Sequence, residues 1–281
     1  MKKIVKETIV LFVKGCAIGV ANIIPGVSGG TIAVILGIYD RLIESIANFF
    51  ENPSRRGEYI LFLFRIILGA VTAIILLANV MSFLLTNYFY QTMFLFMGLI
   101  IGGIPAVLTS HSDMRIRISR ILTFVLGMLM VLSLSIASKW PCEASVSFSS
   151  GMAVVDIKTL FVILLSGFLA GGAMIVPGIS GSFILVLMGQ YALIINALKN
   201  LFITPLIFFA IGASTGILVF SKIIKKCLEK GPALTYYFIL GLITASLCKI
   251  FPGIPEGATP LLFCAAAFLT GGSISYCLSK N

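Results

Sequence analysis

The chain has 281 residues, of which 59% are hydrophobic and 11% charged, with a mean hydropathy of +1.12. A soluble protein of this length needs a polar shell that 20 basic and 10 acidic side chains do not supply, so the composition excludes an ordinary water-soluble domain. It defines a membrane protein with about ten apolar segments. The net charge of +10 does not mark a nucleic-acid binder either, because the cations flank apolar runs instead of forming one stripe.

In chain order, Met1-Lys2-Lys3 precedes an apolar run that Lys14 interrupts. No small-x-small cleavage site follows, so the run reads as part of the mature chain rather than a leader. Residues 15–43 then read GCAIGVANIIPGVSGGTIAVILGIYDRLI. Pro25 removes a backbone donor and stops a helix, while Gly26, Gly29 and Gly30 permit a sharp turn. Ser28 falls at the N-cap of the next half-helix, so the amides of Gly29, Gly30 and Thr31 are expected to point into a cavity at the positive end of a helix dipole. That arrangement suits an anion. Asn22, just before the tip, either orients a ligand or satisfies the broken helix. Asp40 and Glu44 follow on the returning limb.

Arg65 lies about two helical turns inside the next apolar segment, where a charge is costly and often functional. It is expected either to meet a phosphate or to pair with Asp40 or Glu44. Lys14 and Arg41 are nearer an interface, where snorkelling accounts for them. The loop from Asn87 to Gln91 is uncharged and aromatic, and Arg115, Arg117 and Arg120 mark the loop after the following segment. A polar stretch from Trp140 to Ser150 joins the two halves.

The second half repeats the first. Residues 167–195 read GFLAGGAMIVPGISGSFILVLMGQYALII, and an offset of 152 brings thirteen of twenty-nine positions into identity with residues 15–43. Among them, Pro177, Gly178, Ser180 and Gly181 repeat Pro25, Gly26, Ser28 and Gly29. Gly181 and Ser182 supply the second set of amides. An offset of 143 extends the match, with Gly98-Leu99-Ile100 facing Gly241-Leu242-Ile243. The expected domains are a first repeat over 1–140 with its tip at 24–31, an external linker over 141–156, and a second repeat over 157–281 with its tip at 176–183.

Loop charges set the topology. Lys2, Lys3, Lys6, Arg55, Arg56, Arg115, Arg117, Arg120, Lys222, Lys225, Lys226, Lys230 and Lys280 fall on one side if each Pro-Gly hairpin returns to the side it came from. That side is cytoplasmic and holds both termini, leaving Lys139, Lys158, Lys199 and Lys249 toward the outside. Three spans then separate the hairpins, and three is an odd number, so the repeats are inverted. The fold expected is an all-α polytopic membrane protein of two inverted repeats, each a re-entrant hairpin plus about three transmembrane helices. Loop charges alone leave open hairpins that span fully; the absence of a polar loop at either tip favours re-entry.

Six cysteines without CxxC spacing read as small core residues, and the single His111 gives no zinc site or histidine base within the membrane. No cofactor, metal or catalytic residue is expected.

At these tips the sequence resembles the PopT polyprenyl-phosphate transporters. The residues that carry the resemblance are Gly19-Val20-Ala21-Asn22-Ile23-Ile24-Pro25-Gly26-Val27-Ser28-Gly29-Gly30-Thr31, then Gly37-Ile38-Tyr39-Asp40-Arg41-Leu42-Ile43, with Val176-Pro177-Gly178-Ile179-Ser180-Gly181-Ser182 in the second half. The resemblance implies a bacterial cytoplasmic-membrane flippase returning undecaprenyl phosphate from the outer to the inner leaflet for reuse in envelope synthesis. Its partners are then the bilayer and the lipid, with coupling to a proton or sodium gradient for which Asp40 and Glu44 are the candidate carriers. Two rivals share the architecture. One is a carrier of a small or inorganic anion; the other is an undecaprenyl pyrophosphate phosphatase, disfavoured because no glutamate cluster precedes the first tip.

Overall fold

The computed structural model describes residues 2–24, 26–109, 113–137 and 156–279. Pro25, His111, Lys139, Trp140, Cys142, Lys280 and the expected linker up to residue 155 lie outside the described residues. Twelve α-helices follow in order among those described. The first six are α1 (Lys2–Ile23), α2 (Gly29–Ile35), α3 (Tyr39–Ala47), α4 (Arg56–Asn87), α5 (Phe89–Thr109) and α6 (Ile118–Ala137). The second six are α7 (Ile157–Ile175), α8 (Gly181–Leu187), α9 (Tyr191–Lys199), α10 (Ile203–Lys230), α11 (Pro232–Ile250) and α12 (Ala258–Ser279).

Seven of these helices, α4 to α7 and α10 to α12, are long and apolar enough to cross a membrane, so the chain is a multi-pass membrane protein. Their outer faces carry large side chains such as Ile75, Leu76 and Leu262, at 71, 67 and 70% exposure, which only lipid would cover. Of the cysteines described, Cys264 is buried and Cys227, Cys248 and Cys277 are exposed, so most of them face outward and are not core residues as the sequence suggested. In lipid an apolar side chain gains little by facing inward, and hydrophobicity therefore does not report burial.

Glycine holds the long helices together. A Cβ at Gly15 or Gly19 would strike the carbonyl of Ile66 or Ala70, so α1 packs closely on α4. The contact level rises together on both helices, which makes them parallel. Gly212 and Gly216 meet the carbonyls of Leu164 and Phe168 in the same way, so α7 and α10 are parallel too. Across the halves, Gly98 and Gly271 bring α5 onto α12, while Gly127 and Gly241 bring α6 onto α11. Without a hydrophobic force between helices in lipid, such close backbone approach supplies the packing energy.

Because α1 and α4 are parallel, the segment between them returns the chain to the end where α1 began. Polar contacts gather the basic segments at that end. Arg41 pairs with Glu7 at 2.9 Å, Arg55 with Glu44 at 2.8 Å, and Lys222 with Glu51 at 2.7 Å. Lys225 donates to Asn48 at 2.7 Å, and Tyr237 donates to the Met114 carbonyl at 3.1 Å, bringing in the linker between α5 and α6. In that linker Asp113 pairs with the buried Arg120 at 2.7 Å, a hydrogen bond that holds its carboxyl below the usual range. One end of the bundle is thus basic.

Gly212→Val should push α10 off α7 and lower the unfolding midpoint in detergent, at a cost of about 1–3 kcal/mol. Gly57→Ala, in the exposed first turn of α4 with open space around it, should be neutral or raise the midpoint slightly. Equal midpoints for the two variants would remove the close-approach account.

Candidate functional site

Both Pro-Gly-x-Ser-Gly segments break their helices, and they do so with the same backbone. Gly26 and Gly178 have φ of 87° and 81°, a left-handed geometry that a side chain would strain. Ser28 and Ser180 are extended N-caps, at φ −105°, ψ 134° and φ −100°, ψ 136°. Eleven residues after each of these glycines the pattern recurs, with Gly37 and Gly189 both at φ 65°. There α8 turns into α9 through 113°. The first bonds of α2 and α8 run from Ile32 to Ser28 and from Ile184 to Ser180, each 3.3 Å, so the amides before them lie outside the helical ladder.

The tips meet each other. The Gly178 N–H donates to Thr31 Oγ1 at 2.8 Å, and Tyr39 OH donates to the Ile175 carbonyl at 3.1 Å. Gly30 has no side chain because a Cβ there would come within 3.0 Å of that same carbonyl. Helix α11 measures how deep each tip reaches. Asp40 accepts from Tyr236 at 2.6 Å near the basic end, Gly178 packs on the Leu242 backbone, and Gly26 faces the Ile250 side chain. Eight residues separate the last two contacts, about 12 Å along the helix. The first tip therefore passes the second instead of meeting it end to end.

A cavity of about 650 Å³ lies beside this crossing, in the part of the bundle away from the basic end. Asn22, Gly26, Gly178, Ser180 and Ser182 from the tips line it, with Tyr191 and with Ser135 near the end of α6. Among the described residues its one charged lining residue is Lys249, whose Nζ stands 3.3 Å above the Phe183 ring. The ring face attracts the ammonium without neutralising it, and no carboxylate among the described residues pairs with it. The Ser180 and Ser182 hydroxyls are 2.8 Å apart. One ammonium, two hydroxyls and an amide side chain around an open volume suit a phosphate or similar anion.

The sequence-named residues divide. Asn22, Gly26, Gly178, Ser180 and Ser182 come together at the cavity. Ser28, Gly29, Gly30, Thr31, Pro177 and Gly181 do not line it; they pack the crossing itself, with Gly29 against Asn22 and Gly181 against Met174. Arg65 is not in the lining, and its buried Nε has no hydrogen-bond partner among the described residues. Neither carboxylate pairs with it, since Glu44 takes Arg55 and Asp40 takes Tyr236. Asp40 and Glu44 lie together in smaller cavities of about 290 and 350 Å³ nearer the basic end. Lys249 was legible only as an external charge. Its position six residues after the repeated Gly-Leu-Ile, on the helix that touches both tips, was the signal that it faces inward.

An all-helical, multi-pass membrane protein with an anion-suited cavity at two crossing broken helices is the class this geometry defines. The family model for undecaprenyl phosphate translocase-like proteins matches residues 18–259. A Vibrio cholerae protein named polyprenyl-phosphate transporter is 35% identical over 254 residues, covering 86% of this chain and 77% of that protein. A Staphylococcus aureus protein of the same name is 30% identical over 274 residues, covering 95% of this chain and 94% of its own length. No solved structure matches the chain. The chain belongs to the undecaprenyl phosphate translocase-like family.

Thr31→Val keeps the shape but leaves the Gly178 N–H without its acceptor. The expected loss is about 1–3 kcal/mol, read as a lower unfolding midpoint, with Thr31→Ser close to wild type. A Val variant as stable as wild type would show that the crossing does not depend on this bond.

Proposed function

We propose that this chain carries a polyprenyl phosphate, undecaprenyl phosphate by its family, across the bacterial cytoplasmic membrane from the outer to the inner leaflet, for reuse in envelope synthesis. The observation that carries the proposal is the tip cavity, with Lys249 as its charged lining residue and its place away from the basic end. Basic segments favour the cytoplasm, so a cavity at the other end is open to lipid arriving from the outer leaflet. The two relatives named as polyprenyl-phosphate transporters support the same substrate.

The chemistry of such a lipid fits the lining. Its phosphate takes the ammonium of Lys249 and the hydroxyls of Ser180 and Ser182. Its tail needs no enclosed pocket, and Val186, half exposed at the cavity wall, borders a lateral way out to lipid. Transport rather than hydrolysis is supported by a lining that, among the described residues, lacks the paired acid and base that phosphate-ester chemistry uses.

Inverted repeats and re-entrant hairpins belong to this proposal. The parallel pairs α1 with α4 and α7 with α10, entered from opposite ends, support the inversion. Re-entry is supported by the length of α2 and α8, seven residues or about 10 Å each, a third of the hydrocarbon core. With dipoles that short, Lys249 supplies most of the field at the anion.

In proteoliposomes the wild type is expected to accelerate movement of labelled undecaprenyl phosphate between leaflets. Lys249→Gln should weaken apparent affinity roughly 10- to 100-fold, the value of a charge-assisted bond, with Lys249→Arg retaining part of it. Unchanged transport by a folded Lys249→Gln variant would sink the headgroup assignment. Movement of a soluble anion but of no lipid would favour the anion-carrier rival.

A further inference from the structure

The two halves carry the same tip in different surroundings. Ser28, Thr31, Val34 and Tyr39 are buried, at 4, 1, 5 and 1% exposure. Their counterparts 152 residues on, Ser180, Phe183, Val186 and Tyr191, all line the cavity. The difference lies in which helices are packed. Helix α2 lies against α5, with the Ile35 side chain occupying the space that Gly103 leaves empty. The counterpart pair is α8 and α11, and between those two the cavity stands, bridged by Lys249 over Phe183. Ser28 Oγ is meanwhile buried with no hydrogen-bond partner among the described residues. A buried hydroxyl left unpaired in this way calls for a partner elsewhere in the working cycle.

We propose that Ser28, Thr31 and Tyr39 form the phosphate site of the opposite-facing state, and that this second site has no lysine at the position equivalent to Lys249. The inference rests on the transport reading and on inverted repeats exchanging their conformations. In the exchange α8 closes on α11 and α2 leaves α5. The bond from Tyr39 OH to the Ile175 carbonyl breaks, and its counterpart forms from Tyr191 to the Ile23 carbonyl, two residues that now share the cavity wall. Thr31 releases the Gly178 N–H and turns its hydroxyl, with that of Ser28, toward the basic end. The offset of 143 that aligns the repeated Gly-Leu-Ile places Ala106 where the second half has Lys249. A headgroup thus meets the ammonium of Lys249 facing outward and no equivalent of it facing the basic end, where the nearest ammonium of this half, Lys14, is held by the Leu36 carbonyl at 2.8 Å. Loading is tight and release is easy. The asymmetry sets the affinity at each face, while the final distribution of lipid is left to whatever gradient drives the cycle.

The test is thiol labelling in a cysteine-free background, in oriented vesicles without added substrate, using a membrane-impermeant maleimide from each face. The Ser180→Cys variant should label from the face away from the basic end, and Ser28→Cys only from the basic face. Adding Tyr39→Phe removes a bond of the present state, so it should raise labelling of Ser28→Cys about fivefold and lower that of Ser180→Cys. Tyr191→Phe should do the reverse. Ala106→Lys should lower the KM for lipid presented at the basic face about tenfold, a charge-assisted bond gained. Labelling of both serine positions from one face, no labelling of Ser28→Cys in any background, or an unchanged KM for Ala106→Lys overturns the proposal. Labelling needs no lipid, so reciprocal labelling in a protein that moves no lipid supports the exchange and overturns the substrate reading alone.

Discussion

Two broken helices inside a bilayer create backbone groups that water does not reach, and the rest of this structure follows from how those groups are satisfied. Each break frees amides and carbonyls, and a free one at membrane depth costs several kcal/mol. Here the breaks answer each other. Thr31 of the first tip accepts from the Gly178 amide of the second, and Tyr39 of the first limb caps the Ile175 carbonyl. That solution demands that the tips cross within hydrogen-bond reach. The demand in turn explains the glycines at Gly30 and Gly178, the close pairs of long helices that hold each tip in register, and the position of α11 against both.

The cavity is a by-product of that crossing. Because the first tip passes the second by about 12 Å along α11, the tips do not fill the space between α8 and α11. Polar tip residues then border a volume roofed by Phe183 and Lys249. A lysine there is held by a ring rather than by a carboxylate, which keeps its charge available for an anion. An acidic partner would have lowered the cost of burying the ammonium while cancelling the field that a phosphate needs.

Much of this was legible in the sequence, for physical reasons. A proline and a glycine inside continuous apolar sequence break a helix wherever they fall, and two copies of the same break at a fixed offset reveal a duplication without any contact being known. The clustering of Arg55, Arg56, Lys222 and Lys225 at one end was legible as well, since interfacial charge is a local property, and contacts of Arg55 with Glu44, Lys225 with Asn48 and Lys222 with Glu51 draw those segments together. Lys249 was not, because a lysine one residue from the end of an apolar helix looks like any snorkelling anchor; its direction depends on α11 lying between the two tips, which is a long-range fact. Arg65 misled in the opposite way. Its depth in α4 was read correctly, but a position beside the α1 interface keeps it out of the tip cavity.

The sharpest divergence between sequence and structure concerns the serines, and it carries the most meaning. Ser28 and Ser180 stand in the same motif with the same backbone angles, so no local rule separates them. Yet one is buried without a partner among the described residues and the other faces a cavity. On the proposed exchange, identical residues in non-identical surroundings are one state of a two-state carrier, because a duplicated chain with two equal sites at once would be open on both faces. A carrier must avoid that condition to hold a gradient. On that proposal, the packing of Ile35 into the space beside Gly103, matched by the unfilled space beside Lys249, is the physical form of the difference between a closed face and an open one.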